Sequence, residues 1–302
     1  MIDKTDQIAG KFLGKDGDNN KVAAYKNPEN VDNSLLVAIP RSLNRDAHNI
    51  DSSLFEGFDC WNCYEVSTLN AKGKPFVGIA KLFFPADSTN IVESKSLKLY
   101  LNSFNLAKMQ SIDSFGISKE LEAIISNDLQ EKIGDKKIQV KVLSLRDSGL
   151  VRNLDFLEFE NIDELDVSID LDVQESLESE QFQDIRTLKV HSALLRSNCR
   201  VTNQPDWGDV YIYLKGKDLP TKESLLKYII SMRKEQHFHE EICENIFNDI
   251  YQQCALDELL VKCFYTRRGG VDINPIRYTE GFDTSQVITY YENETVFKTL
   301  RQ

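Results

Sequence analysis

The chain predicts an α+β fold built from two copies of one unit. Three features carry that expectation: a residue pattern repeated at nearly constant offset, helix-period stripes inside both copies, and strand-like runs on either side of the helices. Ser96-Leu97, Tyr100 and Ser103 recur as Ser224-Leu225, Tyr228 and Ser231, each 128 positions further on. Asn127-Asp128-Leu129 recurs as Asn248-Asp249-Ile250, and Val140-Lys141 as Val261-Lys262, both at an offset of 121, as a shorter loop in the second copy would require. Leu97, Tyr100, Leu101 and Phe104 stand at i, i+3, i+4 and i+7, and so do Leu225, Tyr228, Ile229 and Met232. Each set predicts an amphipathic helix with one buried face.

Taken in chain order, Asn70 to Pro75 has the Asn, Gly and Pro of a hairpin turn, and Phe76 to Phe84 after it is a run of apolar and aromatic residues suited to a strand. The first helix follows from Glu93, a second helix carries Asn127 to Leu129, and Ile138 to Leu145 reads as a strand. In the second copy Val210 to Leu214 is a strand, Pro220-Thr221 a helix start, His239-Glu240 the opening of the later helix, and Leu259 to Tyr265 a strand again. Both copies thus read strand, strand, helix, helix, strand, strand. Short turns between consecutive strands predict antiparallel sheets.

A chain of 302 residues with 41% hydrophobic content can bury one large or two ordinary cores. Its start has no basic region followed by an apolar run, and no apolar stretch approaches ~18 residues, so a cytoplasmic protein without a membrane span is expected. The formal net charge is −12, yet Asp155 to Asp184 alone holds twelve acidic residues and no Lys or Arg, so the remainder is close to balanced and can carry local basic sites. This acidic run predicts a solvated linker. No basic stripe with interleaved aromatics is present, so no direct nucleic-acid binding is expected. Six cysteines are too few for a disulfide scaffold and fit reduced thiols. Cys60-Trp61-Asn62-Cys63 is the one CxxC, and it lacks the second ligand pair a zinc site would need nearby.

The segment from Cys199 to Asp206 places a nucleophile and an acid seven positions apart at a predicted strand-to-strand turn. A thiol acts covalently as thiolate, and a carboxyl kept neutral near pH 7 can donate a proton, so both roles require a shielded site. Taken alone, such a pair is more often a core thiol beside a turn carboxylate. No GxGxxG or GxxxxGK[ST] is present. Thr266-Arg267-Arg268-Gly269-Gly270, directly after a predicted strand, offers guanidinium forks and glycines to a phosphate, or an ordinary basic turn. Glu93 to Tyr100 puts Ser and two Lys at a helix start, which is either an anion site or a capped helix with solvated lysines. Glu240 can accept two hydrogen bonds from the N–H edge of a guanine-like ring, and is also favourable in a first helical turn on electrostatic grounds alone.

These segments together resemble one family. Glu93-Ser94-Lys95-Ser96-Leu97-Lys98-Leu99-Tyr100, Ser197-Asn198-Cys199 through Asp206-Trp207-Gly208, Phe238-His239-Glu240, and Tyr265-Thr266-Arg267-Arg268-Gly269-Gly270-Val271-Asp272-Ile273-Asn274-Pro275 are similar to the two-module form of the NADPH-dependent 7-cyano-7-deazaguanine reductases, the nitrile reductases of queuosine biosynthesis, a tRNA-modification pathway. The likeness runs from about Trp61 to Arg277 and implies two tandem tunnelling-fold (T-fold) ββααββ units that form a barrel on assembly, as a homodimer. It implies Cys199 as the nucleophile that forms a covalent thioimide with the nitrile carbon, and Asp206 as proton donor. Val92, Glu93, Ser94, His239 and Glu240 would hold the deazaguanine; Ser94, Lys95, Arg268 and Gly269 would contact NADPH, the co-substrate, of which two are used per amine formed. No metal is expected.

On this basis residues 1–45 form an N-terminal extension, 46–153 the first module, 154–185 the acidic linker and 186–302 the second module with the nucleophile. Two other readings are open. A zinc-dependent cyclohydrolase or pterin-type enzyme of the same architecture would draw on His237, His239 and Cys243. An acidic, non-catalytic interaction protein would use neither set.

Overall fold

The computed structural model describes residues 30–144, 151–153, 159–170, 176–200, 203–284, 296–298 and 302. The elements in chain order are β1 (Ala38–Pro40), α1 (Ser42–His48), β2 (Glu56–Leu69), β3 (Pro75–Pro85), β4 (Asn90–Val92), α2 (Ser94–Asn102), α3 (Ser114–Ile133), β5 (Gln139–Ser144) and β6 (Val151–Asn153). They continue with β7 (Glu160–Asn161), β8 (Ser179–Ser192), β9 (Arg196–Asn198), β10 (Pro205–Pro220), α4 (Lys222–Ser231), α5 (His239–Gln253), β11 (Leu256–Tyr265), β12 (Val271–Tyr278) and β13 (Val296–Lys298). No described helix is long and apolar enough to cross a membrane.

One sheet runs through both halves in the order β5-β3-β2-β12-β11-β10-β8-β7, with β9 paired to β10. The long strands pair antiparallel, as short connections require, and the parallel contacts are the two-residue β7 on β8 and β13 on β6. The halves meet at β2 and β12, which pair from Cys63 opposite Val271 to Glu56 opposite Tyr278.

Both sets of helices pack on the sheet and make two cores. Trp61, Leu82, Phe84, Leu97, Tyr100, Phe104, Leu121, Ile125 and Leu129 fill the first. Val210, Ile212, Leu225, Tyr228, Ile246, Phe247, Ile250 and Val261 fill the second. The repeated residues prove to be the ones that lock helix to helix in each half. The Tyr100 hydroxyl donates to Asp128 at 2.6 Å, and the Tyr228 hydroxyl to Asp249 at 2.6 Å. Ser103 and Ser231 donate back to the carbonyls of Tyr100 and Tyr228, at 2.6 and 2.7 Å. A tyrosine sunk in an apolar core needs a partner for its hydroxyl, which explains why the pair recurs as a pair.

Three expectations change. The first half places β2, β3, α2, α3 and β5 in the expected order, but its next strand, β6, leaves the sheet and pairs with β13; β12 of the second half occupies the place beside β2 instead. The acidic run is more than a solvated linker at its described ends: Ser179 to Asp184 belongs to β8, Ile162 is buried, and the Asp163 carboxylate accepts from Ser192 Oγ at 2.6 Å and from the Ala193 amide at 2.9 Å. Residues 154–158 and 171–175 lie outside the described residues. The extension is likewise built into the fold from residue 30 onward, since β1 pairs with β4 and Leu36, Val37 and Ile39 are buried.

At the seam between the halves sits a buried charge network. Arg277 on β12, fully buried, donates to Asp59 on β2 at 2.8 Å and to Glu244 on α5 at 2.8 Å. Arg41, which precedes α1, donates to Asp59 at 2.6 Å, and Arg45 on α1 donates to Glu244 at 2.8 Å. Burial alone would raise the Glu244 pKa, but Arg277, Arg45 and Arg41 outweigh it and bring it down to about 2. Its stabilising contribution is therefore complete above the ordinary carboxylate pKa and is lost as pH falls towards 2. Arg277→Met leaves two buried carboxylates without their shared cation, and urea denaturation is expected to show a loss of ~3–5 kcal/mol. A loss below about 1 kcal/mol would mean that the seam is held by its strand pairing alone.

Candidate active site

The β9–β10 hairpin sets the nucleophile. Pro205 pairs with Asn198 and Asp206 with Ser197, and the turn closes through the Cys199 amide to the Gln204 carbonyl and the Asn203 amide to the Cys199 carbonyl, both at 2.8 Å. Asn203 takes φ 54° in that turn, a left-handed conformation that asparagine tolerates better than most residues. The hairpin is fastened to the segment before α5: the Asn198 amide donates to Glu235 at 2.8 Å, and the Asn198 side chain to the Arg233 carbonyl at 2.9 Å. That attachment carries Cys199 and Asp206 to the start of α5, where His239 and Glu240 stand.

Both halves contribute walls to a single cleft open to solvent. Cys199, Asp206, His237, Phe238, His239, Glu240 and Arg268 line it from the second half. Val92, Glu93, Ser94, Lys95 and Lys98 line it from the first, with Ile39, Trp61, Ile91, Val271 and Ile273 as the apolar surface. Of the ten positions singled out in the sequence for catalysis, ring binding and cofactor contact, only Gly269 is not among the lining residues, and it sits directly against Lys98.

Asp206 is almost fully buried and has two cationic or proton-bearing partners. Its Oδ2 lies 3.3 Å from His239 Nε2, and Oδ1 accepts from Arg268, whose other arm donates to Gln204. Burial pushes the Asp206 pKa up, but the hydrogen bonds and charges of His239 and Arg268 outweigh it and hold the carboxyl below its ordinary value. This corrects the expectation of an acid that stands neutral near pH 7: with Arg268 on it, Asp206 is a carboxylate. His239, which lines the same cleft, stacks on Tyr265 with centroids 3.9 Å apart and planes 6° apart and turns Nε2 to Asp206, while its buried Nδ1 has no hydrogen-bond partner.

Glu240 is the reverse case. It is buried, its Oε1 has no hydrogen-bond partner, and burial, reinforced by the charge of Asp59, raises its pKa to about 8. An unpaired carboxyl atom facing a cleft is costly unless a ligand meets it. Glu93 behaves differently again: as the N-cap of α2 it accepts from the Lys95 amide at 3.0 Å and the Ser96 amide at 2.7 Å, so both its oxygens hold the helix start in place.

The residues at the cleft's basic end fit an anionic cofactor. Lys95, Lys98 and Arg268 gather there, and burial together with the charges of Arg268 and Lys95 lowers the Lys98 pKa. Cations crowded in this way are relieved by a phosphate. Gly269, at φ 53°, leaves room that a Cβ would take from Lys98, whose Nζ would lie 2.6 Å away. The same loop is anchored to β2 by the Tyr64 amide donating to the Gly270 carbonyl at 2.8 Å and by Arg267 lying over the Tyr64 ring.

The other candidate centres do not form. His237 is hydrogen-bonded to Glu235 and lies beside Glu241, which outweigh its burial and raise its pKa to about 9. Cys243 points into the core at the Val261 and Pro275 carbonyls, so it does not join His237 and His239, and among the described residues no three or more His, Cys, Asp or Glu are placed to hold a metal ion. Cys60 and Cys63 fall in different clusters on opposite faces of β2, and burial raises both thiol pKa values, that of Cys60 to about 12. They are not a redox pair.

A family model described as nitrile reductase, 7-cyano-7-deazaguanine reductase, N-terminal part matches residues 27–142, and one described as QueF-like protein matches residues 205–282. The NADPH-dependent 7-cyano-7-deazaguanine reductase of Ralstonia nicotianae is 44% identical over 262 residues, covering 85% of this chain and 91% of its own. The chain belongs to the 7-cyano-7-deazaguanine reductase family. The enzyme of that name from Cupriavidus metallidurans is 43% identical over 264 residues, with the same coverage of 85% and 91%. Among solved structures, the archaeosine synthase QueF-Like in its apo form aligns with 32% of this chain and 94% of its own at 17% identity and a TM-score of 0.29, too slight a likeness to bear on the fold. Within this member of the reductase family, Cys199 falls in the interval between the two family models and Asp206 inside the second.

What sequence reasoning missed is the support behind the site. Arg41, Arg45, Asp59, Glu244 and Arg277 were not singled out, although Arg277 near the end of the buried strand Val271–Tyr278 is a charge for which such a strand has no use unless it is paired. Arg268→Gln is expected to raise the Asp206 pKa, read by carbon-13 NMR of its carboxyl as a titration moved upward in pH. An unmoved titration would assign the depressed value to His239 alone.

Proposed function

We propose that the protein reduces the nitrile of 7-cyano-7-deazaguanine to the primary amine, 7-aminomethyl-7-deazaguanine, as the names of its curated relatives suggest. The observation that carries the reading is the convergence of Cys199, Asp206 and Glu240 with the Lys95, Lys98 and Arg268 cations on one cleft. As in those relatives, the reductant is NADPH. It supplies hydride when bound, two equivalents for the four electrons of the reduction, and Ser94, Lys95, Lys98, Arg268 and the Gly269 backbone are the groups that would hold it.

The chain's own residues account for the remainder. Glu240 as carboxylate accepts the two N–H groups on the guanine edge of the ring, which aims the nitrile at Cys199. The Cys199 sulfur adds to the nitrile carbon while the nitrogen takes a proton, which converts a poor hydride acceptor into a thioimide, a much better one. Reduction at that carbon with loss of the thiolate would leave an imine, and a second reduction with uptake of a proton on nitrogen would give the amine; that proton and the one that restores the Cys199 thiol come from solvent. Asp206 begins as a carboxylate, takes the thiol proton as sulfur adds, and passes it to the nitrogen, with His239 3.3 Å away to hold its geometry. His239 and Arg268 together keep Asp206 acidic, and engagement of Arg268 by a cofactor phosphate would draw off one of the two, so Asp206 would become the better proton carrier with the reductant in place.

The same reading takes residues 46–153 and 186–302 as T-fold modules, with the matched Tyr100–Asp128 and Tyr228–Asp249 bonds in support. Closure into a barrel would come from a homodimer in the cytoplasm, since among the described residues β5 has one partner strand in the sheet and β8 is met on its far side only by the two-residue β7.

On mixing with 7-cyano-7-deazaguanine, two NADPH are expected to be consumed per amine formed, followed at the NADPH absorbance; no consumption by folded protein would end the proposal. Cys199→Ala should abolish turnover and keep ring binding, and full activity in that variant would exclude the thioimide. Because Glu240 must be ionised to accept both N–H groups and its pKa lies at about 8 without ligand, ring affinity should be level above that pH and fall about tenfold per unit below it. A flat affinity between pH 6 and 8 in calorimetry would refute the role of its carboxylate.

A further inference from the structure

Glu240 does not stand alone at the floor of the cleft. The charged groups bearing on it come from three elements packed around α5: Asp59 on β2, Arg41 at the start of α1, and Arg277 on β12. All three are buried and locked to one another, Arg41 to Asp59 at 2.6 Å and Arg277 to Asp59 at 2.8 Å, with Glu244, one turn along α5, tied to Arg277 and Arg45. Across the opening the facing groups are Glu93, Lys95, Lys98, Asp206 and Arg268. Three guanidinium groups against two carboxylates leave the network one positive charge in excess, the charge that an ionised Glu240 would balance. Its Oε1 is left unpaired by the protein, so the network supports the carboxyl electrostatically without occupying the atom offered to the cleft.

We propose that Asp59, Arg41 and Arg277 are positioning residues for ring recognition: the opposed charges they hold behind Glu240 set whether its carboxyl meets the ring as an anion. This rests on the recognition role given to Glu240 above and deepens it. It also gives the segment before residue 46 a function, because Arg41 belongs to neither module as the sequence divides the chain. Asp59 disfavours ionisation of Glu240 and the two arginines favour it, so the signs of their removal are opposite. A group that merely kept the fold intact would not produce that opposition.

The test is calorimetric binding of 7-cyano-7-deazaguanine to full-length Cys199→Ala protein without NADPH, from pH 6 to 9, in buffers of different ionisation enthalpy so that proton release is read directly. The parent should release close to one proton on binding at pH 7. Asp59→Asn deletes the negative charge and keeps an oxygen acceptor for one of the two arginines, which bond different oxygens of the native carboxylate; the acid limb should move down by about one pH unit and proton release at pH 7 should shrink. Arg41→Gln should move the limb up by a similar amount, and Arg41→Lys should restore it. If Asp59→Asn does not fold, the Arg41 pair still decides. Limbs that stay in place, or that move in the same direction in both variants, overturn the proposal. Absence of ring binding by the parent itself would instead overturn the recognition role of Glu240, so the two failures are distinct.

Discussion

The structure depends on a cation buried where no water reaches it. Arg277 lies between Asp59 and Glu244 at the line where β2 of the first half pairs with β12 of the second. Two carboxylates from different halves cannot be taken out of water without a shared counter-charge, and a guanidinium with a planar fork of donors can serve both at once. Antiparallel pairing alone would tolerate a slip by two residues that kept the same faces buried. The ion network does not, because Arg277 must fall opposite Gly57, next to Asp59 and under α5. Gly57, at φ 150°, has no room for a side chain there: a Cβ would lie 2.1 Å from the Ile276 carbonyl oxygen. Register between the halves is thus specified twice, by charge and by close approach.

A cleft at that seam inherits its precision. The first half brings the helix start with Ser94, Lys95 and Lys98; the second brings the hairpin with Cys199 and Asp206 and the α5 start with His239 and Glu240. Lys95 and Lys98 therefore come from one half and Arg268, with the Cys199 thiol, from the other, and their separation is set by the β2–β12 register. Two of the acidic groups within this space, Asp206 and Glu240, are driven in opposite directions. Asp206, with a histidine and an arginine on it, is held ionised; Glu240, with an unpaired oxygen and a neighbouring negative charge, is held protonated up to about pH 8. Divergent proton affinities in a shared cleft are the sign that the two carboxyls have different work to do.

Much of this was legible in the sequence. The repeat was readable because each half needs the same internal bond, Tyr100 to Asp128 and Tyr228 to Asp249, and a bonded pair constrains both partners at once. The Cys199–Asp206 hairpin, the Glu93 helix start and the Arg268-Gly269 loop could be found because each is a local signal: turn residues, a cap, a glycine at positive φ. The departure of β6 from the sheet was not legible, since a short strand's partner is decided by long-range pairing that no local pattern encodes. Nor was the charge of Asp206, which depends on Arg268 sixty-two positions away. The Arg41–Asp59–Arg277–Glu244 network escaped for the same reason: each member is an ordinary charged residue until the fold removes its water.

The unpaired oxygen of Glu240 bears on specificity more than on affinity. In the recognition role proposed for Glu240, a ring presenting two N–H donors would replace the missing partner and let the carboxyl ionise beside the positive excess of the network. A ring of the same shape without those donors enters the same apolar walls of Ile39, Trp61, Val271 and Ile273, yet leaves a buried carboxyl facing an acceptor or nothing. Apolar contact distinguishes such rings by only ~1–3 kcal/mol, whereas a buried polar group left unmet can reject the wrong ligand by about 10⁴-fold or more. A site that discriminates in this way must keep its carboxyl unsatisfied when empty, and that state lowers stability in the free protein. The arginine-rich network behind Glu240 is the feature that lets the fold sustain it.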